Sequence, residues 1–253
     1  MSDYIAAPGQ SFSLKDCPTA VDLFADKQAA ESAIKSHAKA IAPLAHRLYG
    51  EAERGLLVVL QGMDTSGKDG TTSAIFHRTP PLNLRVAAFK APTKTELAHD
   101  YLWRIHKTVP AKGEITIFNR SHYEDVLVVK VKNYVSPEVI EPRYDQINNF
   151  ERLLVESGTT VLKFMLHISH ETQGERLMDR LIKPNKRWKF NPGDLEDRKL
   201  WPQFMDAYET MVARTSTEHA PWHVIPSDDR KTRGALIAAI VRETVEDGNP
   251  QYP

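Results

Sequence analysis

Disulfide crosslinks are ruled out by arithmetic, because Cys17 is the one cysteine in the chain. It has no partner for an intramolecular bridge, and a cysteine-built zinc site is excluded with it. A lone thiol suits a reducing compartment, so a cytoplasmic protein is expected. Long apolar runs are missing as well. None approaches the roughly 20 residues a membrane helix requires, and residues 1–7 lack the basic-then-apolar order of a signal peptide. Charge of one sign is not in excess: Lys plus Arg number 33 and Asp plus Glu number 33. A general nucleic-acid coat would be basic overall, so neither nucleic acid nor membrane is an expected partner. A zero total still permits a local cluster of cations, since clusters and not totals set the field. Internal repeats and low-complexity tracts are also lacking. What remains is an ordinary globular chain of 253 residues, long enough for one large α/β domain or two small ones.

The pattern along the chain is regular. Residues 1–26 read as an arm, and Asp26 to Arg54, rich in Ala, Lys and Glu, as a helix with a break or kink near Pro43. Gly55 to Leu60 is a short continuous apolar run, the signature of a buried parallel strand. Further strands are predicted at Leu84–Phe89, Glu114–Phe118, Thr160–Ile168 and Trp222–Ile225. Helices are predicted over 68–78, from the Thr93/Glu96 capping spacing to about Lys107, from Ser136-Pro137 to near Gly158, over 170–182, over 194–214 and over 231–246. Five strands alternating with helices imply an α/β fold, a mostly parallel sheet with helices on both faces. The expected division is an N-terminal arm and helix over 1–54 and a core over 55–253, with a helical lid at about 176–214.

One segment carries the first chemistry. Gly62-Met63-Asp64-Thr65-Ser66-Gly67-Lys68-Asp69-Gly70-Thr71 holds G-x-x-x-x-G-K between a strand and a helix, the context that makes a phosphate-binding loop credible. Glycines such as Gly62, Gly67 and Gly70 let backbone amides turn inward toward phosphate oxygens, and Thr65, Ser66 and Thr71 add donors. The helix N-terminus adds positive potential, and Lys68 a mobile point charge. The commoner loop places Ser or Thr after the lysine to hold Mg²⁺. Here Asp69 stands there, and the loop has an acid of its own, Asp64. A carboxylate among phosphate-binding amides repels a bare phosphate, but makes sense facing Mg²⁺, a hard cation that prefers oxygen.

The third strand leads into Asn119-Arg120-Ser121-His122-Tyr123-Glu124-Asp125. An ordinary P-loop enzyme ends this strand on an Asp that positions Mg²⁺. Here the strand-end residue is the neutral Asn119, and Glu124 follows five residues later. Glu124 has two readings: a carboxylate that restores the metal-facing charge, or the S-x-x-E partner of Ser121 in a helix cap. Arg120 is placed to clamp phosphate oxygens with both arms of its fork. Between two predicted helices, Lys183 to Phe190 carries four cations and no acid, with Trp188 among them, and Arg176 and Arg180 precede it. The position suits a lid that closes over polyphosphate groups and excludes water.

The loop GMDTSGKDGT, the block FKAPTKTELAHDYLWRIHK, the run FNRSHYEDVLVVKV and the segment WKFNPGDLEDRKLW, in that order, together resemble the polyphosphate kinase 2 family over nearly the whole chain. The resemblance implies a P-loop α/β core with a helical lid. It also implies phosphoryl transfer between inorganic polyphosphate and nucleotides with Mg²⁺. Many members of the family place an Asp at the strand end and an Asn five residues on; this chain reverses the two as Asn119 and Glu124. The FNRSHYED form is similar to the branch called class III, which phosphorylates both AMP and ADP and so makes ATP. Carried over by motif, Asp64 organises Mg²⁺ and the acceptor phosphate, Lys68, Arg120 and Arg176 bind the transferring group, and Lys186, Arg187 and Lys189 are the lid cations. Members are often homo-oligomers. Two rivals stay open at this level: an ATP-dependent kinase of the same fold, and a nucleotide- or polyphosphate-binding sensor without turnover.

Overall fold

The computed structural model describes residues 4–253. Six strands form one sheet: β1 (Ile5–Ala6), β2 (Gly55–Gln61), β3 (Leu84–Ala88), β4 (Ile115–Asn119), β5 (Thr159–His167) and β6 (Trp222–Pro226). Their order is β1-β6-β5-β2-β4-β3, and every pair is parallel except β1 with β6. The five strands expected from the sequence are present, and the sixth is the correction. Two residues of the N-terminal arm cap the β6 edge, too short a segment for any periodicity to show. The arm is further held where Ser13 Oγ and the Leu14 amide donate to Glu209.

The helices are α1 (Lys27–Glu51), α2 (Lys68–Phe76), α3 (Lys94–Leu97), α4 (Trp103–His106), α5 (Val128–Val131), α6 (Pro137–Glu156), α7 (His170–Ile182), α8 (Pro192–Lys199), α9 (Trp201–Thr215) and α10 (Arg230–Asp247). Alternation along β2 divides the core into two layers. Leu56, Val58 and Leu60 pack with Ile41 of α1, Ile75 of α2 and Ile237 of α10. Leu57 and Val59 pack with Ile147 of α6 and Met211 of α9 on the opposite face. Each such buried aliphatic side chain contributes about 1.5–3 kcal/mol relative to exposure. Both faces of β2 are therefore covered, which is why its sequence is apolar from Gly55 to Leu60 and all seven of its residues are buried.

Three helix expectations change. The run from Thr93 forms its capping box but stops after four residues as α3. Asp100 then accepts from the Leu102 and Trp103 amides and starts a separate turn, α4. The 194–214 helix divides at Leu200 into α8 and α9, with Pro202, which has no N–H to offer, in the first turn of α9. Conversely α1 runs unbroken through Pro43, where the ring removes one hydrogen bond of many. Among the described residues, no helix is long and apolar enough to cross a membrane.

Candidate active site

The site lies at the C-terminal ends of the parallel strands, where β2 turns into α2. Two glycines make that turn possible. Gly62 sits at φ 152°, and a Cβ there would stand 2.8 Å from the Leu166 carbonyl oxygen and from Ser66 Oγ. Gly67 sits at φ 107°, and a Cβ would collide with the Arg233 guanidinium. The Thr65 and Ser66 hydroxyls are buried with no hydrogen-bond partner among the described residues. Lys68 is buried, and its Nζ donates to the carbonyls of Gly62 at 2.6 Å and Met63 at 3.2 Å. Burial, with Arg120 beside it, pushes the Lys68 ammonium down to about 8, although Asp64 and Glu124 resist.

Arg120 joins the two acids of interest. It sits at φ 61°, an uncommon conformation for any residue but glycine, with its amide tied to the Leu60 carbonyl of β2. One arm of its fork reaches Asp64 at 2.6 Å and the other Glu124 at 3.3 Å. Burial opposes ionisation of Asp64, and Arg120 with Lys68 overcomes it, holding the carboxyl below its usual range. Glu124 also accepts from Gln61 Nε2 at 3.0 Å. Ser121 Oγ caps by accepting from the Tyr123 amide, and the Glu124 carboxylate plays no part in that cap. The capping reading of Glu124 is thus replaced by one in which its carboxylate faces Arg120.

Asp69, in the place of the usual Ser or Thr, accepts from Asn119 Nδ2 at 2.6 Å and from Lys189 Nζ at 3.3 Å. It links strand end, phosphate loop and basic segment. Residues Pro184–Lys189 form a 3₁₀ turn between α7 and α8. Lys186 and Lys189 from this turn line a cavity of about 450 Å³, beside the loop residues Asp64, Thr65, Gly67, Lys68 and Gly70. Arg187 does not line it; its guanidinium donates to the carbonyls of Leu181 and Ile182. Gly62, Ser66 and Thr71 stand behind that wall, and Glu124 opens on a smaller adjoining hollow shared with Asp64 and Arg120.

Arg176 lines the cavity with its donors engaged on the carbonyls of Thr65, Ser66, Ser227 and Asp228. Its neighbour Arg233, missed in the sequence, donates to Thr71 Oγ1 and to the Ser66 and Ser227 carbonyls. Among the described residues, neither arginine has a carboxylate within ion-pair distance. Burial and neighbouring cations push Arg176 down to about 10 and Arg233 down to about 9. Arg230 and Lys90 also line the cavity, and Arg180 does so while paired with Asp194 at 2.6 Å. The spacing Arg230–Arg233, one turn apart just after the last strand, was the signal available for the missed pair.

In all, nine cationic side chains and two carboxylates line this cavity. Such an excess in a partly buried place suits an anionic ligand. Among the described residues no three His, Cys, Asp or Glu converge on one point. Asp64 and Glu124 offer two carboxylates, which suits Mg²⁺ when substrate phosphates supply further oxygens.

Comparison with known proteins agrees with this geometry. The sequence description of the polyphosphate kinase 2 family matches residues 24–253. An AMP/ADP-polyphosphate phosphotransferase of Meiothermus ruber is 50% identical over 255 residues, covering 100% of this chain and 96% of that protein. An ADP-polyphosphate phosphotransferase of Rhodopseudomonas palustris is 35% identical, covering 97% of this chain and 89% of its own. The crystal structure of polyphosphate kinase 2 from Arthrobacter aurescens TC1 superposes with a TM-score of 0.95 at 37% identity, over 99% of this chain and 90% of that one.

Proposed function

The chain belongs to the polyphosphate kinase 2 family and is a phosphotransferase, and from that premise we propose that it moves the terminal phosphoryl group of inorganic polyphosphate onto AMP and onto ADP, reversibly, with Mg²⁺. The observation that carries the donor assignment is the cavity lined by nine cations against two acids. The acceptor range rests on the FNRSHYED turn and on the 50% identical relative, whose name includes both AMP and ADP.

The nucleotide phosphate has a second pKa near 6, by analogy with phosphomonoesters, and is largely ionised at neutral pH. Proton removal is therefore a small part of the problem. Bringing two polyanions into line is the larger part. Lys68, Lys186 and Lys189 neutralise the donor chain, and the loop amides hold its oxygens. Arg120 stands between Asp64 and Glu124, where its fork reaches the transferring group as equatorial charge develops. Arg176 and Arg233 brace the loop from behind and add positive potential. Asp64 and Glu124 would hold Mg²⁺, which supplies charge neutralisation of the phosphates when bound.

The test is direct. Purified protein is mixed with Mg²⁺ and polyphosphate, AMP or ADP is supplied in separate reactions, and nucleotides are separated by chromatography. ADP and then ATP from AMP is the expected result. Product from ADP alone would remove AMP as acceptor, and turnover only with ATP as donor would overturn the polyphosphate assignment.

A further inference from the structure

A buried ionic cluster lies beneath the turn that carries Arg120 and Glu124, and the chemistry above makes no use of it. Lys163 sits in mid-β5, between Val59 of β2 and Trp222 of β6, with no exposed surface. Its Nζ donates to Glu151 Oε2 at 2.6 Å, to the Thr215 carbonyl at 2.6 Å and to the Tyr123 hydroxyl at 2.9 Å. All three ammonium donors are thereby engaged. Glu151, equally buried on α6, accepts through Oε1 from the Tyr123 hydroxyl at 2.7 Å and lies 3.3 Å from His122 Nε2. Burial opposes ionisation of Glu151, and Lys163 with His122 overcomes it.

Stability is a weak reason for such a pair. Replacing a buried ion pair by apolar residues of similar volume is often neutral or stabilising. Position explains it better. The cluster ties together four elements: β5 through Lys163, α6 through Glu151, the catalytic turn through His122 and Tyr123, and the last turn of α9 through Thr215. Farther along α9, Phe204 and Tyr208 wall the hollow into which Asp64, Arg120 and Glu124 open. Arg120 itself is held at a positive φ, a conformation that persists only where the surroundings over-determine it.

Resting on the phosphotransfer reading above, we propose that Glu151 and Lys163 are positioning residues. Through Tyr123 and His122 they set where Arg120 and Glu124 stand relative to Asp64. They touch no reacting atom. Their removal should lower turnover without weakening polyphosphate binding, because the cavity cations stay in place.

The experiment pairs Glu151→Leu with Lys163→Met, so that neither charge is left buried alone. Folding is checked by thermal unfolding. A cooperative fold with kcat lowered about tenfold or more and KM for polyphosphate little changed is expected, since small misplacements are costly to rate. The Mg²⁺ concentration for half-maximal rate should shift, and adding Glu124→Gln should cost less in this background than in the wild type. A folded double variant with wild-type kcat and Mg²⁺ requirement would overturn the proposal. Tyr123→Phe covers the case in which the double variant does not fold. It removes one hydroxyl, and both a reduced kcat and faster amide hydrogen exchange over residues 120–124 are expected. If neither changes, the cluster is a core filler only. Every rate is read against wild type with whichever donor that protein uses, polyphosphate or ATP. A wrong donor assignment therefore leaves this comparison intact.

Discussion

Lys68 shows how a single residue converts burial into a pH dependence. Its ammonium is held down to about 8 by burial and by Arg120. Below that value the charge that would meet the donor phosphates on the proposed reading is present, and above it the charge is lost. The pH profile of kcat/KM for polyphosphate should therefore fall on the alkaline side with an apparent pKa near 8; a profile flat to pH 10 would contradict this. The stability sign is opposite to that of a paired lysine. The folded value lies below the unfolded one, so between about 8 and the ordinary lysine range the unfolded chain binds more protons. Lys68's contribution to stability therefore rises with pH through that window. The acids make a second pair of expectations. Asp64→Asn should lower kcat by about a hundredfold or more with the fold intact, as loss of a preorganised charge does. Glu124→Gln should change the Mg²⁺ dependence while leaving thermal stability little altered, because its carboxylate sits on Arg120 and Gln61 and not in a cap. At this scale the sequence was informative where a motif fixes neighbours, as from Gly62 to Lys68. Arg233 was out of its reach, because it meets Ser66 across 167 positions. Only the folded chain brings such partners together.

Elements were legible in proportion to how much their own residues decide them. The apolar run of β2 announces a strand buried on both faces, and Ser136-Pro137 with Gly158 marks both ends of α6. The two-residue β1 is decided instead by the β6 edge it covers, and α3 stops because Asp100 engages the next amides. The basic turn between α7 and α8 reaches the phosphate loop directly. Its Lys189 is held by Asp69, which Asn119 also holds, so an acid in the phosphate loop tethers the turn that carries two cavity cations. On the proposed reading, a polyphosphate chain entering the cavity would compete with Asp69 for that ammonium. Asp69→Ala should free the turn, giving faster limited trypsin cleavage within 183–190 and a lower KM for polyphosphate, since a competing carboxylate is gone. Unchanged cleavage and unchanged KM would show that the contact does not restrain the turn. Trp188, 78% exposed with its indole N–H on the Asn185 carbonyl, has the Lys189 ammonium 4.9 Å from its ring centre, so its emission offers a convenient report on the same movement.

For the whole molecule, the balance of charge is deceptive. The chain is neutral in total, yet nine of its cations face one cavity beside only two acids. Part of the compensation is close by, with Asp194 on Arg180, Asp179 on Lys186 and Glu124 on Arg120, and the remaining carboxylates lie away from the cavity, so the molecule is polarised although its sum is zero. A partly enclosed cleft of one sign focuses the field and raises the encounter rate with an oppositely charged ligand. That field is open to screening, because the Debye length shrinks from about 30 Å at 0.01 M salt to about 8 Å at 0.15 M. Over this range kcat/KM for long polyphosphate should fall by about tenfold or more, as steered encounters do. The thermal midpoint should move little, because surface pairs such as Lys199–Glu196 and Arg242–Glu246 are worth about 0–1 kcal/mol each. The two readouts separate an electrostatic entry from a loss of structure. If kcat/KM stayed level across the salt series, the cavity cations would be acting only on bound phosphates, at distances too short for salt to screen. If the midpoint fell in step with the rate, the salt effect would belong to the fold and not to the approach of the substrate.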